Sequence, residues 1–230
     1  MTIKSKLIKT LSKLTPRGIL YLLPSPRQVN DVEVSSSVLK IIGRFLANVA
    51  RNHSGPQILR TITLKSWPGL KMKLDISDYT QCGYYFSVPE NGLEDRLKKG
   101  GDIFIDIGAN QGLFSILAGK NEHIKQVISF EPTKKTAQLL RANIACNNIQ
   151  NCKIIEKGIS DKRGFLDLNV ADGHSGKNTF RTAELEQNIR NEIVEIINHE
   201  DIELLTQENT NYVIKIDVEG HEDVVIKELI

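Results

Sequence analysis

Residues 106–112, Asp-Ile-Gly-Ala-Asn-Gln-Gly, are the first run in the sequence whose types and spacing suit chemistry. They follow the apolar run 103–107 and precede a helical stretch at 113–118, so they form a strand-to-helix turn. Glycine at Gly108 and Gly112 lets the backbone turn sharply and lets a ligand come close. A dinucleotide-binding turn reads GxGxxG and offers a helix start to a pyrophosphate. Here Asn110 replaces the middle glycine, and Asp106 puts a carboxylate where a phosphate would be repelled. A cationic, phosphate-free ligand suits this turn better. S-adenosylmethionine, with a sulfonium and an ammonium group, is such a ligand, and its attraction to a half-buried carboxylate exceeds the value in water.

Three further groups follow. Phe130-Glu131-Pro132 stands at the end of the next apolar run, where an acid accepts hydrogen bonds from ribose hydroxyls in nucleoside-binding sheets. Gly158-Ile159-Ser160-Asp161 follows the third strand, where Ser160 or Asp161 would meet an adenine, although residues 161–164 also read as a plain hairpin turn. Residues 214–222, Ile-Lys-Ile-Asp-Val-Glu-Gly-His-Glu, place Lys215, Asp217 and Glu219 on one side of an apolar strand, and such charges must be paired or functional. Lys215 reads as a structural partner of neighbouring carboxylates, and Glu222 and Asp223 as helix-dipole partners.

The elements that must position these groups alternate as strand and helix from Gly101 onward. Strands are expected at 103–107, 126–130, 153–156, 165–170 and 212–218, with a helix at 133–147 capped by Thr133 and stopped by Asn147 and Asn148. The strand at 165–170 is expected to pair off through the turn at 161–164. Such a pattern predicts an α/β fold with a mostly parallel sheet and helices on both faces. Before it, residues 61–65 and 71–75 alternate around Trp67, Pro68 and Gly69 as a hairpin, followed by the aromatic residues Tyr84, Tyr85 and Phe86, Glu90 and a short helix at 93–98. Residues 1–59 form an accessory segment with helices at 3–14 and 38–51, leaving 60–230 as one domain with a hairpin and cap at 60–100 and the core at 101–230.

Composition excludes other classes. With 40% apolar and 25% charged residues, the 230-residue chain is neither disordered nor fibrous, and no apolar run approaches the ~20 residues that span a bilayer. The three cysteines, Cys82, Cys146 and Cys152, lack CxxC spacing, which argues against a disulfide framework or a metal site and fits a reducing, cytoplasmic setting. Six of the 30 cationic residues and none of the 28 acids fall within the first 30 residues, so that segment carries +6 and the rest −4. The acidic body speaks against a nucleic-acid binder. The basic amphipathic pattern over residues 1–18 allows a peripheral contact with the inner membrane face, or a helix packed on its own domain.

Taken together, residues 105–112, Phe130-Glu131-Pro132, 140–148 and 215–222 resemble the FkbM family of S-adenosylmethionine-dependent methyltransferases, over about residues 60–230. The resemblance implies a class I, Rossmann-like fold, S-adenosylmethionine as cofactor, and methyl transfer to a hydroxyl of a sugar, glycolipid or natural product. It implies that Asp106, Gly108, Ala109, Asn110 and Gly112 hold the methionine end of the cofactor, and that Glu131 and Pro132 flank the ribose. Asp217, Glu219 and His221 would face the acceptor. His221 is the first candidate for the base, with Asp217 or Glu219 as its replacement and His174, in the loop 172–176, as a further one. Two departures stand out. His199-Glu200-Asp201 occupies a place where Thr-Leu-Asp is usual, and the sequence ends at Ile230, inside the helix after the strand at 212–218. The expected sheet is therefore short of its C-terminal strands, with an open edge that favours self-association. A non-catalytic fragment that keeps the cofactor half-site is one alternative. A nicotinamide-dependent oxidoreductase is another, disfavoured by Asp106 and Asn110.

Overall fold

Leu59–Thr63 (β1) and Lys71–Asp75 (β2) pair antiparallel, with Leu59 opposite Asp75 and Thr63 opposite Lys71. Alternation turns Ile62, Met72 and Leu74 inward, while Thr61, Thr63 and Lys71 stay outside. β1 starts earlier than the expected 61–65 because the turn already begins at Leu64, whose carbonyl accepts from Trp67 N and whose N–H donates to Leu70 O at 2.8 Å. The structure, a computed structural model, describes residues 57–64, 67, 69–86, 96–97, 101–180, 189–205 and 209–229. The helices expected at 3–14 and 38–51, Glu90 and most of the helix expected at 93–98 lie outside the described residues. The aromatic stretch closes a helix, α1 (Tyr79–Phe86). Among the described residues, no helix is long and apolar enough to cross a membrane.

The main sheet is built from β3 (Ile103–Ile107), β4 (Gln126–Phe130), β5 (Cys152–Ile155) and β9 (Tyr212–Ile216), in the order β5-β4-β3-β9 and parallel throughout. Every residue of β3 is buried, as a strand covered on both faces requires. Helices α2 (Leu113–Gly119) and α3 (Lys134–Cys146) make the crossovers from β3 to β4 to β5. Phe104, Val127, Leu113, Ile116, Leu140 and Ile144 form one core with Met72 and Leu74 of the hairpin. On the other face Ile103, Ile105, Ile107 and Phe130 meet Ile202 of α4 (His199–Glu203) and Val225 of α5 (Glu222–Lys227). The expected α/β architecture with a parallel sheet and helices is the one observed.

Residues 164–171 depart from the expected pairing. β7 (Gly164–Ala171) does not pair with β5; it runs antiparallel to β8 (Ile189–Ile197), and the short β6 (Gly158–Ile159) lies parallel on the other side of β8. The reason is burial. Leu168 and Val170 are covered by Val194 and Ile196 in a separate small core with Phe180 packed on it. α4 follows β8 directly, and Asp201 there accepts from Asn198 N and Arg163 Nε.

Two asparagines dock the hairpin on the sheet. Asn143 on α3 and Asn147, the residue that caps its C-terminus one turn later, face the edge of β2. Asn143 Oδ1 accepts from Lys73 N at 2.6 Å while its Nδ2 donates to Lys73 O and Gln111 O, and Asn147 repeats the exchange with Lys71 N and O. The side-chain amides act as a further strand and blunt the edge. Asn143→Ala is expected to destabilise the fold by about 1–3 kcal/mol, since it strands backbone groups away from water. Urea denaturation measures the loss, and an unchanged midpoint would refute the docking role.

Candidate active site

Register builds the floor of the site. Asp106 in β3 lies opposite Ser129 in β4 and Lys215 in β9, so the three side chains form a polar row across the face covered by α2. Asp106 is fully enclosed, at 0% exposure. Ser115 Oγ donates to its Oδ2 at 2.6 Å, and Lys215 Nζ lies 3.2 Å from its Oδ1. A buried carboxylate is tolerated only when it is paired in this way. Lys215, 15% exposed, also reaches upward. Its ammonium donates to Gly108 O at 2.7 Å and stands 3.7 Å from Asp217 Oδ2 and 5.1 Å from the centre of the Phe114 ring.

The turn above this floor is fixed by backbone geometry. Gly108 has φ +72°, Asn110 φ +50° and Gly112 φ +92°, so the asparagine takes the left-handed conformation that a glycine would otherwise supply. A Cβ on Gly108 would stand 2.0 Å from the carbonyl oxygen of Asp217, and one on Gly112 would stand 2.3 Å from Leu140 Cδ1. The missing side chains of these glycines make room for neighbouring protein. Gly108 N and Ala109 N donate to Phe130 O at 3.1 and 2.9 Å, and Asn110 N donates to Glu131 Oε2 at 3.0 Å, lashing the turn to the tip of β4.

Glu131 is 5% exposed. Its Oε1 accepts from Thr133 N and Thr133 Oγ1 at 3.0 and 2.5 Å, so three protein hydrogen bonds occupy the carboxylate and one acceptor position is left. Thr133 precedes α3 as expected but spends its hydroxyl on Glu131 instead of capping the helix. Burial pushes the Glu131 carboxyl above its ordinary pKa, against the pull of these hydrogen bonds and of Lys215.

Two adjoining cavities open over the turn. The larger, of about 210 Å³, is lined by Thr80, Tyr84, Phe114, His174, Lys215 and the turn residues 108–111 among others. The smaller, of about 70 Å³, is lined by Glu131, Pro132, Leu168 and Phe180. Gly108, Asn110, Gly176, Asp217 and Glu219 border both. Glu219 sits in the left-handed region at φ +48°, followed by Gly220 at φ +94°. Such backbone is held only by surrounding contacts. Thr179 Oγ1 donates to Glu219 O at 2.7 Å, and Glu222 Oε1 accepts from Gly220 N at 3.1 Å, a more specific role than a helix-dipole partner. Partial burial, and repulsion from Asp217 and Glu222, raise the Glu219 pKa. Burial foremost, and Asp217 next, raise that of Tyr84.

Gly108, Ala109, Asn110, Glu131, Pro132, Asp217 and Glu219 are thus brought together. Other expected residues are not. Asp106 lies beneath the turn, and Gly112 serves the packing of α2 on α3. Ser160 and Asp161 border neither cavity; Ser160 is buried, and its hydroxyl lies 3.2 Å from both Asp161 Oδ1 and His221 Nε2. His221 does not face the cleft either, with its ring 5.2 Å from that of Phe180. His221 follows the left-handed pair Glu219-Gly220 and directly precedes α5. Tyr84, Phe114, Thr80 and Gly176 were not foreseen as site residues. Phe114 alone carries a sequence signal, an aromatic group two positions past the glycine turn.

A family model described as the methyltransferase FkbM domain matches residues 106–228, more than half of the chain. The chain belongs to the FkbM methyltransferase family. The hairpin and α1 precede the matched range. No curated protein matches the sequence. Among solved structures, an FkbM methyltransferase from Methylobacillus flagellatus KT aligns at 17% identity and TM-score 0.33, covering 56% of this chain and 28% of that one. TYW2 of Methanocaldococcus jannaschii, in complex with AdoMet, aligns at 16% and 0.32, covering 51% and 65%. A tRNA m1G37 methyltransferase from M. jannaschii aligns at 23% and 0.31, covering 45% and 30%. The chain spans less than two thirds of each of these solved proteins.

The cofactor of an FkbM methyltransferase is S-adenosylmethionine, and the cleft suits it. Glu131, Asp217 and Glu219 supply carboxylates, whereas Lys215, the cation among the described lining residues, is committed to Asp106 and to the Gly108 carbonyl. Asn110 Oδ1 is buried without a protein hydrogen-bond partner, an acceptor suited to an ammonium donor.

Proposed function

We propose that this chain is an S-adenosylmethionine-dependent O-methyltransferase acting on a hydroxyl of a sugar, glycolipid or natural product. The observation that carries the reading is the pair of adjoining cavities that share Gly108, Asn110, Asp217 and Glu219, with Glu131 at one end and the aromatic wall of Tyr84, Phe114 and His174 at the other. Glu131 and Pro132 would hold the ribose, and the 108–110 backbone with Asn110 Oδ1 the methionine end. When bound, the cofactor supplies an already activated methyl. The work left to the chain is to hold the acceptor oxygen close and in line with it. An aromatic wall beside two carboxylates, with no uncommitted cation among the described lining residues, fits a neutral polyol better than a phosphate-bearing acceptor or a nucleic acid.

The hydroxyl proton has to go to a group in the cleft. Glu219 is the best placed, because it borders both cavities and its raised pKa brings it nearer to the working pH of a base. A base must be ionised to act, so kcat/KM should rise with pH through a value above the ordinary glutamate pKa. Glu219→Gln is expected to lower turnover by roughly 10²–10⁴-fold and to flatten that rise, while His221→Ala stays within a few-fold of the parent. Transfer of tritiated methyl groups to hydroxyl-bearing glycans measures both. Full activity in Glu219→Gln would move the base elsewhere. Calorimetry with S-adenosylhomocysteine against NAD tests the reading as a whole, and uptake of NAD alone would sink it.

A further inference from the structure

We propose that Asp78 is a positioning residue for the cleft: its carboxylate ties the segment 173–176 to the start of α1 and so sets the wall formed by Thr80, Tyr84, His174 and Gly176. What the wall does rests on the methyl-transfer reading above; the tie itself does not.

The two segments are about 95 residues apart in sequence, and Asp78 precedes the range that the family model matches. Ser175 N donates to Asp78 Oδ2 at 2.6 Å, Ser175 Oγ donates to Oδ1 at 3.0 Å, and Gln81 N donates to Oδ1 at 3.1 Å. Around this centre Tyr79 N donates to Gly173 O at 2.7 Å, Gly176 N donates to Thr80 Oγ1 at 3.2 Å, and the His174 ring stacks on Tyr79 with centroids 4.5 Å apart. The fit is close, since a Cβ on Gly176 would stand 2.6 Å from Thr80 Oγ1. Thr80 and Tyr84 on one segment, and His174 and Gly176 on the other, all border the larger cavity.

Asp78 is 6% exposed, and burial raises its pKa despite the hydrogen bonds. A carboxylate is an expensive group to bury. Its distinguishing property here is that both oxygens accept. An asparagine of the same size would set its NH₂ group against either the Ser175 N–H or the Gln81 N–H. Asp78→Asn therefore preserves volume and removes the tie.

Hydrogen exchange, NMR and calorimetry on Asp78→Asn test the inference. Hydrogen bonds to a charged group of this strength predict exchange about tenfold or more faster at residues 173–176, with protection of β3 and β4 unchanged. The stacked Tyr79 ring should hold the His174 ring protons upfield in the parent, and in the variant they should move toward the free-histidine position. S-adenosylhomocysteine should bind about five- to tenfold more weakly, because Gly176 borders both cavities. Unchanged exchange and an unchanged His174 signal would overturn the tie. A loosened segment with parental affinity would overturn the positioning role. If Asp78→Asn does not fold, Ser175→Ala, which removes one donor, carries the same test with smaller changes in the same direction. A parent that ignores S-adenosylhomocysteine would undo the methyl-transfer reading while leaving the exchange and NMR outcomes to decide the tie.

Discussion

Gly108→Ala should lose measurable S-adenosylhomocysteine affinity, with Kd at least a hundredfold weaker by calorimetry. Two costs combine. A side chain at φ +72° is worth roughly 1–2 kcal/mol of backbone strain. The new methyl would also meet the Asp217 carbonyl oxygen at 2.0 Å, and that obstacle is backbone, held in turn by Asp217 N donating to Ile107 O at 3.1 Å. Overpacking of this kind costs about 1–3 kcal/mol more, and relief requires the glycine turn and the 217–219 segment to separate. Both segments border both cavities. Gly69→Ala is the control. Its φ of +89° imposes the same strain, but nothing lies within 4 Å of the added carbon, so affinity should stay within twofold of the parent. Parental binding by Gly108→Ala would mean that the cleft does not depend on this contact.

The sequence made some of this visible, and the limits have physical causes. Alternation and a Pro-Gly turn are local signals, so the hairpin could be read directly, and the apolar runs at 103–107 and 126–130 could be read as buried strands. Asp106 was visible as an acid in the turn, but its depth was not. Its neighbours Ser129 and Lys215 are set by strand order, and the adjacency of β9 to β3 spans more than a hundred residues. The antiparallel pairing of β7 with β8 was hidden for the same reason, because a turn at 161–164 suggested a nearer partner. His221 was drawn from the family pattern, and what its ring meets, Ser160 and Phe180, is set by contacts distant in the sequence. The hairpin's attachment was hidden in Asn143 and Asn147, which read as ordinary helix and helix stop. Their role appears only when the β2 edge is seen opposite them.

Lys215→Met should be the most destabilising change at the site, and the reason shows what this lysine does. Removing the ammonium leaves Asp106 buried at 0% exposure without its counter-charge, and breaking one side of a buried pair typically costs about 3–5 kcal/mol. The contact with Asp217 adds little, since that side chain is 61% exposed and screened by solvent. Asp106→Asn/Lys215→Met removes both charges together, so most of the lost stability should return in urea denaturation, a coupling that two independent surface charges would not show. Cofactor binding should not return with it. In the double variant the Gly108 carbonyl still lacks the donor that Lys215 Nζ provides at 2.7 Å, and the turn keeps its Phe130 and Glu131 contacts without the pin from below. Affinity for S-adenosylmethionine should remain about tenfold below the parent, the worth of one hydrogen bond from a charged donor. A stable double variant with parental affinity would assign Lys215 to the fold alone; one with weakened affinity ties the same ammonium both to the buried carboxylate and to the shape of the turn above it.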